Sequence, residues 1–368
     1  MMIDNFDLRQ LVAPLQEWFG QNARVLPWRD HPSAYNVWVS EIMLQQTRVE
    51  AVKPYFARFT RELPDVKMLA ECDEEKLLKL WEGLGYYNRV RNMKIAALQI
   101  MEEHGGVIPS DYNALLKLKG IGSYTAGAIA SIAYGKPYPA VDGNVLRVLS
   151  RVTADDSDIA KQSVKKVMED RLFDIMNDVQ VDVNPSIFNQ ALMELGATVC
   201  LPNQAPKCTI CPWKELCLAR KEGKELALPV KSKAKARRVE EKTVLIIKAG
   251  EQLALHRRAN KGLLAGLYEL PNVEGHLTSQ EAVAFVKKKG YEPIRIQELE
   301  EAKHIFSHIE WHMKGYIVFL SEWSVAEDDW EFVEVTDVVE KYAIPSAFVR
   351  YTQYLNLVLG KDAIEDIV

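Results

Sequence analysis

Long apolar runs are missing from this chain. No stretch approaches the roughly 20 residues that span a bilayer, and the opening MMIDNFDLRQ has neither the basic start nor the apolar core of a secretory signal. A cytoplasmic protein without membrane contacts is expected. Internal repeats and low-complexity tracts are also missing, so the fold must come from ordinary packed cores. With 368 residues, 48% of them hydrophobic, two such cores and two domains are the sensible expectation. An excess of positive charge is absent as well. The net charge of −5 argues against a general nucleic-acid coat protein, while a whole-chain sum leaves open a basic patch on one face. Cysteine is scarce and unevenly placed. Cys72 stands alone and reads as an inert, partly buried thiol, whereas Cys200, Cys208, Cys211 and Cys217 fall within eighteen residues. Bunched cysteines in a chain with no export signal read as a metal site rather than as disulfides.

What is present is best approached from the run Leu115 to Leu149, LLKLKGIGSYTAGAIASIAYGKPYPAVDGNVLRVL. Its first apolar segment stops at Gly120-Ile121-Gly122, where two glycines permit backbone conformations closed to other residues and allow a phosphate to come close. A helix opens at Ser123 or Tyr124, and its small residues, Ala126, Gly127, Ala128, Ala130, Ser131 and Ala133, suit tight packing. Helix, glycine turn, helix describes either a hairpin that offers backbone N–H groups to a DNA phosphate or an ordinary αα-turn. Downstream, Val141-Asp142-Gly143-Asn144-Val145 sets a carboxylate directly before an apolar-periodic helix, a good N-cap position.

The ordered set of hairpin, small-residue helix and V-D-G-N-V resembles the catalytic core of the helix-hairpin-helix DNA glycosylases of the endonuclease III superfamily. Lys119 stands where that superfamily usually has proline. Further upstream the string SEIMLQQT, residues 40 to 47, resembles the adenine-specific MutY branch, and LGYYNRVRN, residues 84 to 92, resembles its minor-groove reading loop. The resemblance implies a catalytic pair, Glu41 and Asp142, oriented by Tyr124 and Asn144. It implies further that Arg24, Trp28 and Gln190 contact the adenine. On the DNA side, Gln46 would fill the stack opposite the lesion, Tyr86 would intercalate, Arg89 and Arg91 would neighbour phosphates, and Gly120 and Gly122 would hold the backbone. DNA binding makes the expected location nucleoid-associated within the cytoplasm.

The cysteine pattern C-x7-C-x2-C-x5-C can hold tetrahedral zinc or a cubane iron–sulfur cluster. The resemblance implies [4Fe–4S], carried immediately after the last core helix, although the first gap is one residue longer than the superfamily's usual six. Residues 1–218 would then form an all-α catalytic domain, with the hairpin at 115–131 and the cluster loop at 200–217. Leu26 to Arg29 reads as a loop within it. Residues 219–242 read as a basic interdomain linker.

From Thr243 the pattern turns to strands (TVLIIKAG, QLALHRR, EPIRIQEL, KGYIVFL, DDWEFVEV), with helices expected near 279–289 and 346–359. This α+β domain, 243–368, resembles a Nudix fold at LLAGLYELPNVEG. The glutamate-rich helix that would hold a divalent metal is replaced by Phe285-Val286-Lys287-Lys288-Lys289. A recognition module is expected instead of a second enzyme. His304, His308 and His312 recur every four residues in a segment too β-like for one helical face. Instead, KHIFSH at 303–308 resembles the MutY loop that reads 8-oxoguanine, with Phe306 as wedge, Ser307 bonded to the oxidised base and His308 in support.

Cleaving an N-glycosidic bond to adenine requires protonation of the leaving base and stabilisation of positive charge on the sugar. A buried, protonated Glu41 suits the first task and an ionised Asp142 the second. Bifunctional members of the superfamily place a lysine where Tyr124 stands, and tyrosine has no amine to form a Schiff base. The expected enzyme is monofunctional and monomeric, removing adenine opposite 8-oxoguanine, and G, in double-stranded DNA. An endonuclease III-like lyase for oxidised pyrimidines is disfavoured by Tyr124 and by the additional domain; a non-catalytic lesion binder is the other alternative.

Overall fold

The computed structural model describes residues 6–232, 236–321 and 330–355. Lys233 and Lys235 of the expected linker, the start of the DDWEFVEV segment and the end of the helix expected over 346–359 lie outside the described residues. The chain packs as two compact units, one made of Met1–Glu71 with Asn92–Lys233, the other of Cys72–Arg91 with Ala234–Val368. No helix among the described residues is long and apolar enough to cross a membrane.

The first unit is helical. Its elements are α1 (Val12–Asn22), α2 (Pro27–Asp30), α3 (Ala34–Leu44), α4 (Val49–Glu62) and α5 (Val66–Glu71); α6 (Glu74–Leu80) follows in chain order but belongs to the second unit. Then come α7 (Asn88–His104), α8 (Tyr112–Lys117), α9 (Ser123–Ala128), α10 (Gly143–Val152), α11 (Gln162–Met176), α12 (Pro185–Thr198) and α13 (Leu218–Lys221). The segment Leu26–Arg29, expected as a loop, is mostly the short helix α2, because Pro27 at its first position has its φ already set for a helix and lacks only a donor that the first turn would not use. Leu15, Val145, Leu149, Met168, Leu172, Leu192 and Leu195 bring α1, α10, α11 and α12 into one core. Asn184 caps α12 by accepting from the Ile187 N–H, with Pro185 behind it.

The second unit is built on a mixed sheet of β1 (Arg238–Ala249), β2 (Gln252–Arg257), β3 (Tyr268–Glu269), β4 (Asn272–Glu274), β5 (Pro293–Ile305), β6 (Ile309–Leu320) and β7 (Trp330–Glu334). The order is β3-β2-β1-β6-β5, with β4 on β1 and β7 on β2; β1 and β6 run parallel and the other pairs antiparallel. In β1, Val244 and Ile246 enter one core while Leu245 and Ile247 enter the other, as the two-residue period of a strand requires. A strand covered on both faces reads as an unbroken apolar run, which is why TVLII shows no alternation. Helix α14 (Ser279–Lys288) supplies Ala282 and Val286 to one face; α15 (Val335–Lys341) and α16 (Val349–Thr352) supply Val338 and Tyr351 to the other.

Packing divides the chain differently from the sequence expectation. Cys72–Arg91 falls inside the expected 1–218 domain but packs with the C-terminal unit. The 219–242 stretch is no plain linker either: Ala219 is fully buried in α13, and Arg238–Lys242 already belong to β1.

Candidate active site

A cavity of about 550 Å³ opens in the helical unit, lined among others by Arg24, Trp28, Glu41, Gln46, Tyr124, Asp142, Asn144 and Gln190. Glu41 comes from α3, a mainly apolar helix whose Val37, Trp38, Ile42 and Met43 are buried around it. With 5% of its surface exposed, its carboxyl is pushed up to about 7 by burial, helped by the nearby Asp142 charge and opposed by a hydrogen bond from the Tyr124 hydroxyl. That hydroxyl also lies 3.2 Å from the Met193 sulfur. Burial and the neighbouring carboxylates push the phenol itself well above its ordinary value, so it stays a donor.

Asp142 is the N-cap of α10. Its carboxylate accepts from the backbone N–H groups of Asn144 (2.9 Å) and Val145 (2.8 Å) and from the Asn144 side-chain amide (2.8 Å). Burial raises its pKa, and these donors together with Arg147 oppose the rise. Asn144 is held in turn: Arg147 donates to its Oδ1 at 2.8 Å, to the Gly196 carbonyl at 2.8 Å and to the Cys200 carbonyl at 2.8 Å. Gly196 allows this approach, since a Cβ there would come within 2.6 Å of the Asn144 Cβ.

Three lining residues carry an ionic cluster that sequence reading found only in part. Glu194, from α12, accepts from Arg24 at 2.5 and 3.0 Å and from Arg29 at 2.9 Å. Burial works to raise its pKa, but the two guanidinium groups outweigh it and hold Glu194 below the usual range. One pocket thus presents a carboxyl that keeps its proton towards neutral pH and two that are held by donors. Gln190, on the same helix, points its amide to Ser186, and Trp28 packs edge-on against Phe56.

The glycine turn precedes α9. Gly120 adopts φ +78°, and a Cβ there would lie 2.8 Å from the Asn92 Cβ. Gly122 is the N-cap of α9 and open around its Cα, while the Lys119 N–H is bound by Gln99 at 2.8 Å. The first-turn amides of α9 have no acceptor within their own helix, as at any helix start. After Ala128 the helix widens over Ile129–Ala133, and Ile132 lines the cavity.

The description "HhH-GPD superfamily base excision DNA repair protein" matches residues 39–172, and "NUDIX domain" matches 243–354. An adenine DNA glycosylase of Buchnera aphidicola is 34% identical over 82% of this chain and 85% of its own length. The adenine DNA glycosylase of Mus musculus is 35% identical over 87% of this chain and 72% of its own. The chain belongs to the adenine DNA glycosylase family. A solved thermostable thymine-DNA glycosylase shares the fold of the helical part, with 25% identity and a TM-score of 0.50 over 58% of this chain and 97% of that one. These relationships make the chain a base-excision DNA glycosylase with a Nudix-like domain after the helical one.

Two features outside the cavity matter to a member of this family. Cys200, Cys208, Cys211 and Cys217 all line one small cavity together with Arg151, Lys214, Arg220 and Glu225. Burial raises the Cys208, Cys211 and Cys217 thiols, Cys211 to about 12, with the Glu225 charge adding to the rise at Cys208 and the neighbouring thiols adding to all three. In the second unit, Gly83, Gly85 and Tyr86 take φ values of +92°, +69° and +50° and turn the chain sharply. Tyr86 is 47% exposed while Tyr87 is buried, so only the first of the aromatic pair is available outward. Arg89, expected beside a phosphate, instead turns under this loop: it donates to the Leu84 and Gly85 carbonyls (3.0 and 3.1 Å) and lies over the Trp81 and Tyr86 rings. Arg91 pairs with Glu74 at 2.8 Å. Phe306, Ser307 and His308 form the turn between β5 and β6, with Phe306 against His304 and Trp311 and with Ser307 and His308 exposed. His304 and His312 lie on paired strands, not on one helical face.

Proposed function

We propose that this glycosylase removes adenine opposite 8-oxoguanine, and opposite G, from double-stranded DNA as a monofunctional, monomeric enzyme. The observation that carries the chemistry is the separation of two carboxyls in one cavity, Glu41 raised to about 7 and Asp142 held by three N–H donors. A duplex base must leave the stack to enter such a cavity. Glu41, protonated, delivers its proton to a ring nitrogen of the extruded adenine. As the C1′–N9 bond breaks, the electron pair leaves with the base, and the ionised Asp142 stabilises the positive charge that develops on the sugar. Water then adds at C1′ and loses a proton, leaving free adenine and an abasic site. Tyr124 keeps Glu41 oriented, Asn144 does the same for Asp142, and Arg24, Arg29 and Glu194 offer the donors and acceptor that a purine edge can meet.

Lesion discrimination is assigned to Tyr86, Phe306, Ser307 and His308. This is supported by the hydrogen bond between the Tyr86 and Ser307 hydroxyls at 3.0 Å, which joins two residues singled out independently. Gln46, exposed and held at φ +60°, is assigned to the vacated stack. Gly120 and Gly122 are assigned to the phosphate backbone.

Cys200, Cys208, Cys211 and Cys217 would hold a [4Fe–4S] cluster. They line one cavity, and a group of four thiolate donors suits an iron–sulfur cluster. When bound it would order the 200–217 loop beside α10, and no step of the glycosylase reaction is assigned to it. Incubation with duplexes carrying A opposite 8-oxoguanine, G or C tests the reading. Free adenine and an alkali-labile site are expected for the first two. Strand cleavage without base or heat, or adenine release indifferent to the opposite base, would contradict it; colourless protein containing zinc would contradict the cluster.

A further inference from the structure

The segment that carries Tyr86 is fastened to the C-terminal unit by a charged pair. Lys79, the penultimate residue of α6, is enclosed by three acceptors: Glu82 Oε2 at 2.8 Å, the Tyr342 carbonyl at 2.9 Å and the Val338 carbonyl at 3.3 Å. The two carbonyls lie at the C-terminal end of α15, where a cation is favoured by the helix dipole. The other oxygen of Glu82 accepts from the Ile344 N–H at 2.8 Å. Glu82 and Ile344 are 5% and 1% exposed and Val338 is fully buried, so these bonds lie in a region of low dielectric where geometry is held tightly. A buried pair of this kind is weak evidence for stability and better evidence for fixing one arrangement.

Glu82 immediately precedes the turn at Gly83-Leu84-Gly85-Tyr86. Behind that turn Arg89 and the Trp81 Nε1–H both hold the Gly85 carbonyl, and at its tip the Tyr86 hydroxyl meets Ser307. Arg257 adds an ion pair to Glu75 on the exposed side of the same segment. The loop is thus tied at its stem to α15 and at its tip to the β5–β6 turn, although by sequence it lies within the stretch matched to the glycosylase superfamily.

We propose that Lys79 and Glu82 are positioning residues for lesion discrimination: they hold the Tyr86 wedge in register with Phe306 and Ser307, so that the wedge and the 8-oxoguanine reader act as one body. This rests on the lesion-reading role given to those residues above. Removing the pair frees the wedge from the reader while leaving the adenine cavity, whose residues all lie in the helical unit.

The test is the double variant Lys79→Met, Glu82→Gln, which removes both charges and keeps an acceptor for the Ile344 N–H, with Glu82→Gln alone as a milder second variant. Two readouts are taken on the full-length protein. In amide hydrogen exchange without DNA, the 83–87 loop is expected to exchange about tenfold faster in the double variant while helices α3 and α10 keep their protection. In single-turnover assays, the rate ratio of A opposite 8-oxoguanine to A opposite G is expected to fall about tenfold with the A:G rate unchanged. Unchanged loop exchange overturns the proposal; so does an equal fall in both rates, which would reduce the pair to a general fold element. A parent enzyme that does not favour 8-oxoguanine would refute the lesion-reading role itself, a result visible before any variant is made, and loop exchange would still decide whether the pair positions the wedge.

Discussion

Replacing Glu41 with glutamine separates the reaction's need for a raised carboxyl from the stability that the raised carboxyl costs. In the folded chain Glu41 is 5% exposed and its pKa is pushed from 4.5 to about 7 by burial. The folded state therefore keeps a proton that the unfolded chain releases near 4.5. Below pH 4.5 both states are protonated and nothing is lost. As pH rises through about 7 the folded state must either ionise in a desolvated site or hold the proton against the solvent, and stability falls. At about 1.4 kcal/mol per pH unit, that span corresponds to about 3 kcal/mol lost by pH 8. Glutamine cannot ionise and can still accept from Tyr124. E41Q should therefore excise adenine about 10²- to 10⁴-fold more slowly yet gain on the parent by roughly 2–3 kcal/mol between pH 5 and pH 8. Denaturant unfolding of both proteins at the two pH values measures the difference, with single-turnover excision alongside. A stability difference that is the same at pH 5 and pH 8 would refute the buried, proton-holding carboxyl, whatever the loss of activity.

Other substitutions probe the remaining supports. Tyr124→Phe removes a hydrogen bond that lowers the Glu41 pKa, so the alkaline limb of the excision rate should move to higher pH; a limb that stays in place would mean the phenol does not act on Glu41. Gly196→Ala brings a Cβ to 2.6 Å from the Asn144 Cβ and should displace the residue that orients Asp142, lowering the excision rate about 10- to 100-fold at a cost of roughly 1–3 kcal/mol in stability. Duplex affinity, measured in the same samples, should change little. Gly120→Ala forces a side chain into φ +78° against Asn92, and with the hairpin assigned to the phosphate backbone, binding should weaken alike on every duplex, matched or mismatched. Discrimination between base pairs by that variant would speak against a phosphate contact.

Much of the site was legible because its parts are local. Asp142 was readable as an N-cap because it and its donors lie within three residues of V-D-G-N-V, while its catalytic role and the choice of a DNA hairpin over an αα-turn came only with the resemblance. The sheet followed from apolar runs too short for helices, with β1 unbroken because both its faces are covered. What stayed hidden depends on side chains far apart in sequence. Glu194 reads as one more acid on an amphipathic helix until Arg24 and Arg29, more than 160 residues earlier, are seen to close on it. Arg89 was expected beside a phosphate because LGYYNRVRN resembles a minor-groove reading loop; in the folded chain it donates to carbonyls of the very turn it follows. The grouping of Cys72–Arg91 with the C-terminal unit was equally out of reach, since it is fixed by contacts such as those of Lys79 with Val338 and Tyr342.

The division of labour between two carboxyls is tested most directly by the single-turnover rate of adenine release from a duplex carrying A opposite 8-oxoguanine, measured from pH 5 to pH 9. With Glu41 as proton donor the rate should hold steady in acid, bend near pH 7 and then fall about tenfold per pH unit. A rate that stays level or climbs through pH 9 would show that no group titrating near neutrality delivers the proton, and Glu41 would lose its place in the reaction.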